Sequence, residues 1–185
     1  MKTIAEYKQM LAAEGLLASD NAETADFSQE VTDVSYNSLT VKPGTLFLCK
    51  GANFKEAYLA DALAKGACGY VAARDMNMGP DVPCLVTGDI RAAISKISAF
   101  YFDRSWDKGL KLIGLTGTKG KSTTATMIKA ILDLYRGSEI GFSSGIYTYD
   151  GQHREKSRKL TTPETIELHR LLDGCVRNDC HYLVM

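Results

Sequence analysis

LKLIGLTGTKGKSTTATMIKAILDLY, Leu110 to Tyr135, is the stretch on which the reading of this chain turns. Its apolar opening, Leu110–Leu115, has the composition of a buried strand. Its close, Lys121–Tyr135, has helical spacing, with Ala125, Ile128, Ile131, Leu132 and Tyr135 expected to face inward. Between them lies a loop with the parts a polyphosphate site needs. Gly117 and Gly120 let backbone amides converge on oxygens without a Cβ in the way. Lys121 can neutralise β- and γ-phosphates, Ser122 offers a hydroxyl to Mg²⁺, and a helix N-terminus follows. Thr118, Lys119 and Thr123 complete the candidate site. The general spacing G-x-x-x-x-G-K-[ST] is not met, because Leu115 stands where its first glycine would be. An ordinary strand–helix turn is the competing explanation. Gly-Lys-Ser opening a helix straight after an apolar strand is hard to account for by packing, so nucleotide binding is the expectation.

Upstream, the pattern alternates strands with helices. Thr3 and Glu6 form a capping-box pair at the start of a first helix carrying Ile4, Tyr7, Leu11 and Leu17. TLFLC (Thr45–Cys49) and CGYVAA (Cys68–Ala73) read as strands around a helix at Lys55–Lys65, and Asp89 caps a further helix carrying Ile90, Ala93, Ile94, Ile97 and Tyr101. This is the signature of an α/β unit with a largely parallel sheet. DRSWDKG (Asp103–Gly109) is polar and reads as a linker, placing domains at 1–107 and 108–185. Downstream, EIGFSS is a third apolar segment, and YTYDGQ carries an Asp-Gly turn signal for a hairpin. The basic run HREKSRK (His153–Lys159) is expected to be a solvated arm. TPETIELHRLLDGCVRN reads as a helix with Thr162 as N-cap and Pro163 in its first turn. HYLVM reads as a buried strand.

The bulk numbers exclude several classes. Lys plus Arg equals Asp plus Glu at 22 each, so no net charge draws the chain to nucleic acid or a membrane surface. No apolar run approaches the ~20 residues that span a bilayer, and the N-terminus does not read as a signal peptide. The five cysteines, at 49, 68, 84, 175 and 180, lack metal spacing and are expected as buried free thiols in a reducing, cytoplasmic compartment.

GTKGKST resembles the loop of the Mur ligases and of their relative folylpolyglutamate synthetase. Two other stretches favour the Mur side. VSYNSLTVKPGTLFLCKGANFKEAYLADALAKGACGYV is similar to a Mur N-terminal domain that opens on a D-S-R triplet, and LTTPETIELHRLL is similar to the family's T-T-P-E segment. The triplet here is Asn37-Ser38-Leu39, so its arginine is missing. The resemblance implies an α/β N-terminal domain followed by the start of a P-loop ATPase domain. It implies an ATP- and Mg²⁺-dependent ligase that adds a diamino acid to UDP-N-acetylmuramoyl-L-alanyl-D-glutamate, through an acyl phosphate, in peptidoglycan synthesis. It carries phosphate binding onto Gly117–Thr123, metal binding onto Ser122 and contact with the UDP-sugar peptide onto Ser38, Thr161 and Thr162. No catalytic residue is carried over, because the family's metal-binding glutamate, modified lysine and C-terminal domain have no counterpart before Met185. The chain is therefore expected to be an N-terminal portion, inactive alone. A folylpolyglutamate synthetase-like ligase, a non-catalytic nucleotide- or UDP-sugar-binding protein, and a P-loop kinase or GTPase are the alternatives.

Overall fold

Thr3 closes the short strand β1 (Lys2–Thr3) and opens helix α1 (Ile4–Ala13), its amide donating to Glu6 Oε2 at 2.7 Å. Gly15, at φ +66°, ends that helix: its amide donates to the Ala12 carbonyl at 3.0 Å, and the Leu16 amide to the Leu11 carbonyl at 2.9 Å. Leu17, expected on the helix, instead opens strand β2 (Leu17–Asp20). The computed structural model describes residues 1–51, 54–107, 109–136, 140–156 and 162–185. They form two compact units, Met1–Tyr101 and Phe102–Met185.

In the first unit, β3 (Glu30–Val31) pairs with β1, and β4 (Asp33–Ser35), β5 (Thr45–Leu48), β6 (Gly69–Ala72) and β7 (Cys84–Thr87) are parallel neighbours. Strand β2 closes the sheet antiparallel to β7, giving the order β2-β7-β6-β5-β4. A parallel sheet is covered on both faces, so β5 and β6 are buried at every position. Helix α2 (Glu56–Ala64) places Leu59 and Ala62 against Phe47, Cys49, Tyr70, Ala72 and Cys84. Helix α3 (Ile90–Tyr101) buries Ala93, Ile94 and Ile97, and starts on Asp89, whose carboxylate accepts from the Arg91 and Ala92 amides at 2.9 and 3.1 Å. Asn21 fixes the start of β7, accepting from the Cys84 amide at 2.8 Å and donating to the Val82 carbonyl at 2.9 Å.

The second unit runs β8 (Lys111–Ile113), α4 (Lys121–Arg136), β9 (Gly141–Ser143), β10 (Tyr147–Tyr149), β11 (Arg154–Lys156), α5 (Thr165–Arg177), β12 (Tyr182–Val184). The sheet order is β11-β10-β9-β12-β8, with β8, β12 and β9 parallel and the β10–β11 hairpin antiparallel. Asp150 makes the expected turn, its carboxylate accepting from the Gln152 and His153 amides at 2.9 and 2.6 Å. Of the basic run, the described part lies on the exposed strand β11 and the turn before it.

The two long helices take opposite faces of this sheet. Ala125, Ile128 and Leu132 of α4 pack with Ile113, Phe142 and Val184. Leu171, Leu172 and Cys175 of α5 pack with Leu183. Ile131 and Tyr135, expected inside, are 65% and 80% exposed, because α4 is apolar on both sides and the sheet selects the other one. Gly141 lets α5 close on β9: a Cβ there would overlap Cys175 Sγ and come within 3.2 Å of Leu183 Cδ1. Helix α5 begins at Thr165 with Glu164 as cap residue, so Thr162 is not its N-cap and Pro163 precedes the helix in non-helical chain. The expected linker carries a 3-10 turn, Ser105–Asp107, whose Trp106 lies 4.6 Å from the His169 ring of α5.

Candidate functional site

The glycine-rich loop leaves the carboxyl edge of the second sheet. The ladder between β8 and β12 continues past the strands proper: the Met185 amide donates to the Ile113 carbonyl at 2.9 Å, and the Leu115 amide to the Met185 carbonyl at 2.7 Å. Beyond Leu115 the chain is free of the sheet, and Thr116 to Gly120 are exposed. Gly120, at φ +80°, turns it into α4 in a backbone conformation that costs a side-chain-bearing residue about 1–2 kcal/mol. The Gly120 carbonyl already accepts the first helical bond, from the Thr124 amide at 2.9 Å. The amides of Lys121, Ser122 and Thr123 then have no carbonyl one turn back to bond, and they carry the positive end of the helix dipole.

Lys121 folds back over this loop. Its ammonium donates to the carbonyl of Gly117, which holds the charge against the loop backbone. Lys121 and Ser122 are half-buried, whereas Gly117, Thr118, Lys119, Gly120 and Thr123 are exposed. The geometry thus brings a cation, a hydroxyl and a helix N-terminus together at the end of a parallel strand, where open α/β sheets bind ligands. Such an arrangement is chemically suited to an anion.

The other candidates are placed differently. Ser38 lies in the first unit, buried, at the start of a 3-10 turn, Ser38–Thr40. Its carbonyl accepts from Lys65 Nζ at 2.9 Å. Hydrogen bonds from Lys65 and then from the Ser38 hydroxyl hold the Asp61 carboxyl below its usual range, so any ligand must share that hydroxyl with Asp61. Leu39, where the resembling family has arginine, is 81% exposed. Thr162 is exposed in the chain leading to α5, and Thr161 lies outside the described residues.

The thiols offer no nucleophile. All five are free and buried, and burial pushes Cys49 up to about 12 and Cys68 and Cys84 up to about 11. Among the described residues, no group of three or more His, Cys, Asp or Glu side chains is arranged to hold a metal ion, and no helix is long and apolar enough to cross a membrane. Two buried polar atoms, Ser143 Oγ at the carboxyl end of β9 and Glu167 Oε2 in the first turn of α5, have no hydrogen-bond partner among the described residues. Residue type gave no signal for Glu167, since a helix glutamate is read as solvent-facing.

Comparison with known proteins finds likenesses to the Mur ligases. Residues 115–185 match the Mur ligase middle domain. The likeness to Mur ligases also extends through the first unit. The chain is 40% identical over 158 residues to the UDP-N-acetylmuramoyl-L-alanyl-D-glutamate–L-lysine ligase of Enterococcus faecalis, an alignment covering 85% of this chain and 30% of that protein. It is 38% identical over 154 residues to the UDP-N-acetylmuramyl-tripeptide synthetase of Lactobacillus acidophilus, covering 82% of this chain and 29% of that one. The chain therefore spans about a third of the length of these Mur ligase relatives. Among solved structures, a UDP-N-acetylmuramoyl-L-alanyl-D-glutamate–2,6-diaminopimelate ligase aligns with a TM-score of 0.66 at 17% identity, covering 86% of this chain and 33% of that one. MurF from Acinetobacter baumannii aligns with a TM-score of 0.63 at 21% identity, covering 97% and 34%. At these identities the structural likeness establishes the fold, which is that of the Mur ligases.

Proposed function

We propose that these two units are the UDP-substrate unit and the phosphate-loop portion of an ATP-dependent Mur ligase that adds a diamino acid to UDP-N-acetylmuramoyl-L-alanyl-D-glutamate. The observation that carries the reading is the Lys121 ammonium held over the Gly117 carbonyl at the N-terminus of α4. The name of the Enterococcus faecalis relative supports L-lysine as the added amino acid. The five buried free thiols support a reducing cytoplasm as its compartment.

In this reading the amides of Gly117–Thr123 cradle the β- and γ-phosphates of ATP, and Lys121 moves from the Gly117 carbonyl onto their oxygens. Lys119 adds positive charge from the exposed side of the loop. Ser122 would supply one hydroxyl to Mg²⁺, an ion that commonly binds through few protein groups. When bound, the ion neutralises charge on the transferring phosphoryl group. Ser38, Thr161 and Thr162 are the candidate contacts to the UDP-sugar peptide, on the strength of the family resemblance alone. The chain's own contribution is thus positioning and charge neutralisation, the two things that phosphoryl activation of a carboxylate most requires.

Calorimetric titration tests this. MgATP is expected to bind the wild-type chain and to lose at least tenfold in affinity with Lys121→Ala, while UDP-N-acetylmuramoyl dipeptide binding weakens with Ser38→Ala. Equal MgATP affinity in Lys121→Ala and wild type sinks the assignment.

A further inference from the structure

Adjacent serines at the end of β9 are used in opposite ways. Ser144 serves its own turn: its hydroxyl accepts from the Ile146 and Tyr147 amides at 3.2 and 3.3 Å. Ser143 is 2% exposed, and its hydroxyl has no hydrogen-bond partner among the described residues. A buried hydroxyl without a partner gives up its hydration and receives nothing in return, so stability alone favours alanine at that position. A serine there needs a reason beyond packing.

Its place in the sheet supplies one. The Val184–Phe142 pairing of β12 with β9 sets Ser143 beside Met185, whose amide and carbonyl bond Ile113 and Leu115 at the entrance to the glycine-rich loop. Phe142 packs on the α4 side with Ala125, whereas Gly141 faces Cys175 of α5. Alternation along the strand therefore turns Ser143 toward α5. From Cys175, α5 runs back to Glu167 over roughly 12 Å of helix, against roughly 7 Å of strand from Gly141 to Ser143. Glu167 thus lies roughly 5 Å further along the same edge. Its Oε2 is the second buried atom there without a partner among the described residues.

A hydroxyl and a carboxylate oxygen left open together suit a group that donates a hydrogen bond, the opposite of what the glycine-rich loop takes. A phosphate would meet repulsion from the carboxylate. We propose that Ser143 and Glu167 form a second contact point at this edge, which holds a peptide unit of the UDP-N-acetylmuramoyl dipeptide. The Glu167 carboxylate accepts from the peptide N–H, and the Ser143 hydroxyl donates to the neighbouring carbonyl. Both atoms are covered in the free chain, so the contact forms as residues 162–164, which lead into α5 and carry the exposed Thr162, yield to the ligand. The inference rests on the Mur ligase reading for the identity of that ligand.

Calorimetric titration with UDP-N-acetylmuramoyl-L-alanyl-D-glutamate, paired with thermal melts, tests this. Ser143→Ala is expected to weaken binding by at least about fivefold, the loss of one hydrogen bond, and to melt no lower than wild type because the lost hydroxyl bonded nothing. Ser143→Thr keeps the hydroxyl and should bind within about twofold of wild type. Glu167→Met, which removes both oxygens, should weaken binding as Ser143→Ala does. Ser144→Ala should instead melt lower, since its hydroxyl is engaged in the turn. The inference is overturned if Ser143→Ala or Glu167→Met binds like wild type. It is also overturned if Ser143→Ala melts lower, which would mean the hydroxyl is bonded in the free chain, or if these variants lose affinity for free L-lysine and not for the dipeptide. A wild-type chain that binds no dipeptide removes the Mur substrate reading along with it, whereas variants that bind like wild type remove this inference alone.

Discussion

Replacing Gly141 by alanine probes how closely α5 lies on the second sheet. The added Cβ overlaps Cys175 Sγ, and it comes within 3.2 Å of Leu183 Cδ1 and 3.3 Å of the Tyr182 carbonyl, all in a packed interior. Overpacking of this kind costs about 1–3 kcal/mol, and three simultaneous contacts, one of them backbone, argue for the top of that range. Exchanging glycine for alanine within a strand returns about 0.5–1 kcal/mol, leaving a net loss of about 2 kcal/mol. In a Cys175→Ala background the main obstacle is gone, so the same substitution should cost about 1 kcal/mol or less. The two changes would therefore couple by at least about 1 kcal/mol. Native-state hydrogen exchange across Thr165–Arg177, read by mass spectrometry, gives the opening free energy of α5 in each of the four proteins. A cost below about 0.5 kcal/mol, or an identical cost with and without the Cys175 thiol, refutes the β9–α5 packing and with it the placement of the segment before α5.

Three further outcomes follow from local geometry. Gly120→Ala should destabilise the loop–helix junction by about 1–2 kcal/mol through its left-handed backbone, with Gly114→Ala, which meets open space, as the near-neutral control in thermal melts. Asn21→Ala strands the Cys84 amide and the Val82 carbonyl at once, while Pro80 keeps its bond from Thr24, and should lower first-unit stability by about 1–3 kcal/mol in urea denaturation. Burial depresses the His169 imidazole below its ordinary value, so between the folded and unfolded values the unfolded chain holds more protons. Second-unit stability should then be complete above about pH 6.5 and fall as pH drops below it; His169→Gln should remove that slope in denaturation curves at stepped pH.

Much of the architecture is written in short-range signals. Thr3 with Glu6, Asp89 before α3 and Asp150-Gly151 in the hairpin each solve a hydrogen-bond problem within four residues, and the chain obeys them. The glycine-rich strand–loop–helix is legible for the same reason, since its signals are contiguous in the chain. What failed depended on distance. Apolar spacing in α4 fits two faces equally, and only the sheet decides that Ile128 goes in and Ile131 stays out. Pro163 is compatible with a helical first turn, yet α5 waits until Thr165, so a permissive residue was mistaken for an instruction. Leu17 fits a helical period but follows Gly15, whose left-handed turn was the stop signal. Trp106 in a polar stretch gave no hint of the ring awaiting it on α5.

That aromatic contact has a practical use. Trp106 is the chain's single tryptophan, and it lies against an imidazole. Protonated imidazole quenches indole emission, so the molecule carries its own optical reporter: unlabelled protein should brighten or dim according to whether α5 is seated beside the chain that leads into β8. Stopped-flow fluorescence could thus time the assembly of the second unit without any introduced dye.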